Sequence, residues 1–377
     1  MASSASNKKP IAVVVGFIGK LPYGGMTLYN LHYIDGLKAL GYEVHYVERI
    51  NKPHECYDPV SSTSTDDPTF ALNYLRGLVE RFSFIDRENR CHGSGWPALR
   101  STLREADFVL TLADPTWFDE LEICPRRAFV DGDPMFTQVE KMGTLAHYPT
   151  LFTYCARMGQ PDCTVPDVGR KWIVSRPVVS TARWDVTPGG ASLPVTTLMH
   201  WAAGSEVVFD GQAYGHKNRE FDRFLDLPRR TSHPFVIALG GGRAPRERIS
   251  EHGWKIVNPL EMTGTIDAYR AFISGSCADF GIAKHAYVAS RCGWFSDRSI
   301  CFLASGRPVL HQDTGCGDWL PAGSGVLLFS DVESALEGLH SIEGDYERHA
   351  RAARALAEEY FEAATVVGQM LEDADFR

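Results

Sequence analysis

A short apolar run near the start of the chain, followed by a glycine-rich loop, constrains the fold more than any other feature. Residues 11–16, IAVVVG, are rich in β-branched side chains and lie between Pro10 and the loop, which predicts a buried parallel strand. The loop GFIGKLPYGG, a helix that Gly41 ends, and a second strand, EVHYVE, follow. This order predicts a Rossmann-like unit. Its glycines do not match the G-x-G-x-x-G spacing, which argues against dinucleotide binding.

Strands and helices continue to alternate, and a second series begins after residue 194. At 377 residues the chain is too long for one ordinary core, so two domains are expected. The charge-free segment TPGGASLP is the best boundary between them. We therefore predict an α/β fold with two Rossmann-like, doubly wound domains facing a central cleft. The predicted parts are a disordered tail (1–10), an N-terminal domain (11–186), a linker (187–194), a C-terminal domain (195–345) and a terminal helix (346–377).

The composition excludes several classes of protein. With 47 acidic and 38 basic residues the net charge is −9, and no Lys/Arg block stands out, which argues against nucleic acid or an anionic membrane as the main partner. The nine cysteines are scattered without a Cys-x-x-Cys pair, so neither a disulfide framework nor a zinc site is indicated. A reducing cytoplasm is the simplest setting. No apolar run approaches the roughly 20 residues that span a bilayer.

The stretch from Gly293 to Gly317 predicts a site for a phosphorylated ligand. Ser296 and Asp297 precede an apolar helical run, and Arg298 adds a guanidinium at the start of this helix. A helix N-terminus favours anions through its free N–H groups and its dipole. A second phosphate candidate is the glycine loop after the strand FVIAL, with Gly241, Gly242 and Arg243.

Candidate bases follow the predicted strand AFV of the N-terminal half. Asp131 and Asp133 lie at its carboxyl end, where open α/β sheets bind ligands, and a carboxylate there could deprotonate a hydroxyl. The alternative is a turn in which Asp131 caps the following backbone. His32 and His311 are further candidates for a base, although a lone histidine is more often a packed polar residue. Lys217 either approaches a ligand or pairs with Glu220 on one helix.

The pattern helix, Gly-Arg-Pro, strand, Asp-Thr-Gly, followed by GVLLF and DVESALEGL, resembles the nucleotide-sugar-binding half of GT-B glycosyltransferases. It is most similar to a little-characterised bacterial group that shares GWFSDRS…LASGRPV…QDTG. The resemblance implies a GT-B fold, a terminal helix that returns to the N-terminal domain, and transfer of a sugar from a nucleotide sugar to an acceptor.

The resemblance also implies roles for individual residues. It places the loop with Gly24 and Gly25 in the cleft and makes Lys284 a candidate diphosphate contact. GT-B enzymes bind ribose hydroxyls with a carboxylate of the C-terminal domain. The candidates for that carboxylate are Asp279, Asp297 and Asp313. The loop of Asp313, Thr314 and Gly315 is expected to approach the donor sugar.

Three functions fit these features. The first is a glycosyltransferase with a nucleotide-sugar co-substrate, a small-molecule acceptor and no other cofactor. A divalent metal is not expected, although Asp131-Gly-Asp133 has the spacing of a metal-binding Asp-x-Asp. The alternatives are a nucleotide-sugar epimerase and a binding protein without activity. The nucleotide, sugar, acceptor, stereochemical outcome and oligomeric state are left open.

Overall fold

Two separate parallel sheets organise the chain. The structure is a computed structural model that describes residues 9–202 and 204–377. The predicted disordered tail lies outside the described residues, apart from Lys9 and Pro10. The predicted α/β fold with two doubly wound sheets is confirmed.

The first sheet has eight strands and is surrounded by helices. The strands of this half are β1 (Ile11–Val15), β2 (Glu43–Arg49), β3 (Cys56–Asp58), β4 (Thr63–Thr65), β5 (Phe82–Ile85), β6 (Cys91–Gly93), β7 (Phe108–Leu112), β8 (Arg127–Asp131), β9 (Thr150–Thr153) and β10 (Ile173–Val174). Its helices are α1 (Gly24–Ala39), α2 (Thr69–Leu78), α3 (Gly95–Glu105), α4 (Phe136–Glu140) and α5 (Met142–Leu145). The sheet order is β10-β9-β8-β7-β1-β2-β5-β6, with β3 and β4 as a separate hairpin. All neighbours are parallel except β5 and β6. Strand β1 is buried along its whole length, as expected for a central strand covered on both faces.

The second sheet has six strands, all parallel, in the order β15-β14-β11-β16-β17-β18. The strands of this half are β11 (Val195–His200), β12 (Val207–Phe209), β13 (Gln212–Tyr214), β14 (Phe235–Gly240), β15 (Lys255–Val257), β16 (Ala278–Gly281), β17 (Val309–Gln312) and β18 (Val326–Phe329). Its helices are α6 (Lys217–Phe221), α7 (Arg246–Glu251), α8 (Pro259–Thr263), α9 (Ile266–Ser274), α10 (His285–Ala289), α11 (Asp297–Ala304), α12 (Val332–Gly344), α13 (Tyr346–Tyr360) and α14 (Ala363–Asp373).

The order of the strands in each sheet indicates where a ligand cleft lies. The chain winds outward in opposite directions from β1 and β7 in the first sheet, and from β11 and β16 in the second. Open α/β sheets bind ligands beyond the carboxyl ends of the strands at such switch points. The loops after these four strands are therefore the natural walls of a site.

The last helix packs on the first domain. The backbone of Ala363 approaches α1 so closely that a Cβ on Gly36 would lie 2.7 Å from its carbonyl oxygen. Beyond α14, the ring of Phe376 stacks on Phe108 at a centroid distance of 5.2 Å. The segment 187–194 contains no helix or strand, and the buried guanidinium of Arg307 donates to the carbonyl oxygen of Thr187 at 2.8 Å. Within the described residues, no helix is long and apolar enough to cross a membrane.

Candidate functional site

A cavity of about 590 Å³ lies between the two sheets, at the strand ends that the topology indicates. The loops after β1, β7, β8 and β16 contribute to it, as do the last residues of β11, Leu198, Met199 and His200. Its walls include several residues that the sequence singled out: Gly25, His32, Asp133, Lys284, Ser296, Asp297 and Arg298. Side chains from both domains thus meet in one cleft.

Helix α11 begins at this cavity. The Oγ atom of Ser296 accepts a hydrogen bond from the backbone N–H of Arg298 at 3.2 Å, which caps the helix. Asp297 is half-buried and lines the cavity. The first turn of α11 therefore presents its N-terminal dipole to the cleft.

Asp279 holds Arg298 in place from behind. The Arg298 side chain is 8% exposed and that of Asp279 is fully buried, and their closest N–O distance is 3.1 Å. A second Asp279 oxygen accepts from the Ser299 hydroxyl at 2.6 Å, and Arg298 Nη1 donates to the Leu198 carbonyl at 2.5 Å. Asp279 lies outside the cavity wall and orients a cation that lines it. No sequence pattern indicated the contribution of Ser299.

Lys217, at the start of α6, lines the cavity beside Arg298. Within the part of the chain that the structure describes, its ammonium has no hydrogen-bond or ion-pair partner. Burial, with a smaller contribution from the Arg298 charge, lowers the pKa of Lys217 to about 7. The pairing with Glu220 does not form, because Glu220 accepts from Gln312 at 2.6 Å and from Arg223 at 2.7 Å. Lys217 is thus a cation directed into the cleft without a counter-charge in contact.

The two aspartates after β8 have different surroundings. Asp131 is completely buried and accepts from the backbone of Asp133, the amide of Gln138 and the hydroxyl of Thr153, each at 2.8 Å. Burial raises the pKa of Asp131. Its oxygens hold the turn, so Asp131 caps the following backbone as the alternative interpretation of the sequence predicted. Asp133, in contrast, lines the cavity.

Asp133 is bound across the cleft by two side chains of the second domain. Its oxygens lie 2.6 Å from Lys284 Nζ and 2.5 Å from the Tyr287 hydroxyl. The Lys284 ammonium also lies 4.4 Å from the centroid of the Phe136 ring, and Trp294 Nε1 donates to the Gly132 carbonyl at 3.1 Å. The expected base and one expected phosphate contact are therefore paired with each other across the cleft.

Three tyrosine hydroxyls form a buried chain that ends at the cavity. The hydroxyls of Tyr33 and Tyr154 are 2.6 Å apart, and Tyr154 donates to Tyr29 at 3.4 Å. Tyr29 and Tyr154 line the cavity. Burial raises the pKa of all three, so they stay protonated and act as donors. Sequence reasoning gave no sign of this chain.

The glycine-rich loop after β1 is held by Glu48, a buried acid at the end of β2. Its carboxylate accepts from the backbone N–H groups of Gly19 at 2.6 Å and Lys20 at 3.0 Å. Gly25 lines the cavity, whereas Gly24 serves the contact between domains, since a Cβ there would lie 2.3 Å from the carbonyl oxygen of Thr265. Sequence reasoning missed Glu48.

His32 lines the cavity but both ring nitrogens are engaged. Nδ1 lies 3.1 Å from the Val178 carbonyl oxygen, and Nε2 accepts from Trp184 Nε1 at 3.3 Å. Burial lowers the pKa of His32 to about 3, so the ring is neutral near pH 7. The lone pair that a base needs is already used. Burial also lowers the pKa of His311 to about 3.

The other expected donor contacts lie away from this cavity. Gly241, Gly242 and Arg243 line an adjoining cavity of about 500 Å³, which shares His200 with the first. In the Asp-Thr-Gly loop, Asp313 accepts from the backbone of Gly315 at 2.8 Å and Thr314 donates to the Trp294 carbonyl at 2.6 Å. The Asp-Thr-Gly loop lines neither cavity. It supports Trp294, which lines the first cavity.

The Asp-x-Asp spacing does not create a paired carboxylate site, because Asp131 turns into the fold and Asp133 into the cleft. Over residues 9–202 and 204–377, no group of three or more His, Cys, Asp and Glu side chains is placed to hold a metal ion.

Solved structures with the same fold give the architecture a name. An alpha-glucosyltransferase in complex with UDP-glucose and DNA superposes with a TM-score of 0.60 and 12% identity, over 97% of this chain and 99% of that one. The fold is the GT-B fold. Alr3699/HepE from Anabaena in complex with UDP gives 0.55 and 10% over 97% and 99%, and TarM gives 0.60 and 8% over 99% and 100%. No family model and no curated protein matches the chain. At these identities the likeness establishes the fold, and the predicted GT-B class is confirmed.

Proposed function

We propose that this protein is a glycosyltransferase that moves a sugar from a nucleotide sugar to the hydroxyl of a small-molecule acceptor. The observation that carries the proposal is Lys217, a cation without a partner in the described structure, beside Arg298 and the open N-terminus of α11. A diphosphate supplies the negative charge that would neutralise these positive groups.

The donor is assigned to the wall of the second domain. Lys217 and the first turn of α11 hold the diphosphate, and Arg298, fixed by Asp279, adds positive charge beside it. Asp297 is the one candidate among the three aspartates that lines the cavity, so it accepts the ribose or sugar hydroxyls. UDP is the first nucleotide to test, because the structures of the alpha-glucosyltransferase and HepE contain UDP or UDP-glucose.

The acceptor is assigned to the wall of the first domain, where Asp133 serves as the base. Asp131 is unsuited because it is completely buried outside the cavity wall, whereas Asp133 lines the cavity. In the reaction the acceptor oxygen bonds to the anomeric carbon and its proton goes to Asp133. The bond from that carbon to the phosphate oxygen breaks, and the nucleoside diphosphate leaves with the electron pair. Cations at the leaving oxygens stabilise the charge that develops there.

A small molecule is the favoured acceptor. The alpha-glucosyltransferase was solved with DNA, but the present chain carries a net charge of −9 without a basic block. The first-domain wall includes the apolar side chains of Phe17, Leu21 and Met26, and Leu21 and Met26 are exposed. Such a wall suits an acceptor with an apolar body.

Thermal unfolding with a panel of nucleoside diphosphates and nucleotide sugars tests the donor site. A ligand that binds only the folded state raises the melting temperature by mass action. We expect a shift with UDP or UDP-glucose that Lys217→Gln reduces and that Arg219→Gln, an exposed change on the same helix, keeps. No shift with any nucleotide would contradict the proposal.

Turnover assays separate the three functions. Consumption of UDP-glucose that depends on an added acceptor indicates a transferase. Conversion of the sugar with donor alone indicates an epimerase, and binding without turnover under either condition indicates a protein that only binds.

A further inference from the structure

Two cysteines lie close together behind the cavity wall, in a part of the molecule that the proposed transfer reaction does not use. Cys155 is buried, Cys163 is half-buried, and their sulfur atoms are 3.6 Å apart. The segment between them folds back on itself through hydrogen bonds from Met158 N to the Cys155 carbonyl and from Cys163 N to the Gln160 carbonyl, both at 3.0 Å. We propose that Cys155 and Cys163 form a reversible dithiol site that hydroperoxides oxidise to a disulfide.

The geometry needs little change for the bond to form. A disulfide has a sulfur–sulfur distance of about 2.05 Å, so the two sulfurs at 3.6 Å must approach by about 1.5 Å. Side-chain rotation supplies a movement of this size, and Cys163 lies among the exposed residues Asp162 and Thr164. A small oxidant therefore reaches Cys163 from solvent, and Cys155 lies buried next to it.

The two thiols differ in the way that such a reaction requires. The hydrogen bond from Cys155 lowers the pKa of Cys163 to about 7, although burial acts in the opposite direction. The same contact raises the pKa of Cys155. Cys163 is the thiolate that attacks, and Cys155 is the thiol that resolves. Burial raises the pKa of every other cysteine: Cys56, Cys91, Cys124, Cys277, Cys292, Cys301 and Cys316. Oxidation is thus directed to one pair.

The reaction balances with a hydroperoxide as the oxidant. The Cys163 thiolate attacks the peroxide, forming a sulfur–oxygen bond as the oxygen–oxygen bond breaks, and hydrogen peroxide releases hydroxide. Cys155 then attacks the sulfenic acid sulfur, and the disulfide forms as the sulfur–oxygen bond breaks. The departing oxygen takes up the Cys155 proton and leaves as water. A dithiol reductant reverses the change by thiol exchange.

The position of the pair connects it to the cleft. Arg157, within the segment, donates its backbone N–H to the Cys292 carbonyl at 3.1 Å, and Thr164 donates to the Ser290 carbonyl at 3.1 Å. Trp294, two residues after Cys292, lines the cavity, as does Tyr154, which precedes Cys155. The disulfide would close a loop of the first domain that contacts the second domain beside the site.

The experiment treats the full-length folded protein with hydrogen peroxide and follows intact mass and linked peptides. We expect a loss of about 2 Da that dithiothreitol reverses, with a Cys155–Cys163 linkage. The rate should rise with pH through about 7 as the Cys163 thiolate forms. Cys163→Ser should abolish the loss, Cys155→Ser should stop at a sulfenic acid that dimedone traps, and Cys91→Ser should behave as the unmodified protein.

The peptide map of the unmodified protein decides the question even if a variant folds poorly. A linkage between other cysteines would overturn the proposal. So would conversion of Cys163 to sulfinic acid without a disulfide, or oxidation of Cys163 no faster than that of half-buried Cys91.

Discussion

The N-termini of α1 and α11 both lie at the cleft, one on each wall, but their first residues have different neighbours. Helix α11 is capped by Ser296, and its first turn faces the cavity beside Lys217 and Arg298. Helix α1 begins at Gly24 without a side-chain cap, and its first residue is pressed against the Thr265 carbonyl of the other domain. The start of α11 thus carries the proposed phosphate site, and the start of α1 makes a contact between the domains.

The walls differ in charge as well. The second domain contributes Lys217, Lys284 and Arg298, whereas the first contributes tyrosine hydroxyls, apolar side chains and Asp133. Lys20 is a cation of the first wall, and it lies near the buried carboxylate of Glu48. This difference supports the proposed placement of the diphosphate on one side and the acceptor on the other. The following predictions test that division.

The largest effect is expected on the first wall at Asp133. Removing a base typically lowers turnover by about 10²- to 10⁴-fold, so Asp133→Asn should lower kcat within that range and leave UDP affinity within a few fold of that of the unmodified protein. Steady-state kinetics with an acceptor that the enzyme uses measures kcat, and calorimetry with UDP measures the affinity for UDP. Asp131→Asn is the matched variant, and it should lower the melting temperature. Unchanged turnover in Asp133→Asn would show that Asp133 is not the base.

On the second wall, Arg298→Ala should destabilise the fold. The change leaves the buried carboxylate of Asp279 without its cation, and breaking a buried ion pair typically costs about 3–5 kcal/mol. Denaturant titration measures the free energy of unfolding. Arg219→Ala, which breaks an exposed pair with Glu206, should cost less than about 1 kcal/mol. Equal losses in both variants would contradict the assigned role of Asp279.

Lys217→Gln should weaken UDP binding without unfolding the protein. A hydrogen bond to a charged group contributes about 1.5–3 kcal/mol, so the Kd should rise about 10- to 100-fold. Calorimetric titration measures it, with Arg219→Gln as the control on the same helix. If the two variants bind UDP equally well, the diphosphate lies elsewhere.

The smallest expected effect is a pH dependence of donor affinity. Because the pKa of Lys217 is about 7, its charged fraction falls about fivefold between about pH 7 and 8. Binding of UDP-glucose, whose diphosphate does not titrate in this range, should weaken by a similar factor and should take up protons. Calorimetry in buffers of different ionisation enthalpy measures the uptake. A flat profile would show that Lys217 does not charge on binding, and Lys217→Gln should give such a profile in any case.

Lys217 also affects the stability of the empty protein. Its folded pKa is lowered below that of an unfolded lysine, so the unfolded state binds more protons between about pH 7 and 10. This group therefore makes the empty protein more stable as pH rises through that window, in the opposite direction to its effect on binding.

Local patterns of sequence were enough for the two-sheet α/β architecture, the start of α11 and the sheet edge where the cavity lies. They could not separate Asp131 from Asp133, because the difference depends on Thr153, a residue on another strand that takes one Asp131 oxygen. Nor could they show that Glu220 would be held by Gln312 and leave Lys217 free. The role of Gly24 depends on Thr265, in the other domain. Each of these outcomes rests on a contact between residues far apart in the chain, which local spacing does not specify.

The most direct test of the central claim is a crystal structure of the protein with UDP. The sequence offers two glycine- or helix-based phosphate sites, and the two cavities that contain them are adjacent. We predict that the diphosphate lies at the first turn of α11, within hydrogen-bond distance of Lys217 Nζ. A diphosphate held instead by Gly241, Gly242 and Arg243, with Lys217 still without a partner, would contradict the account.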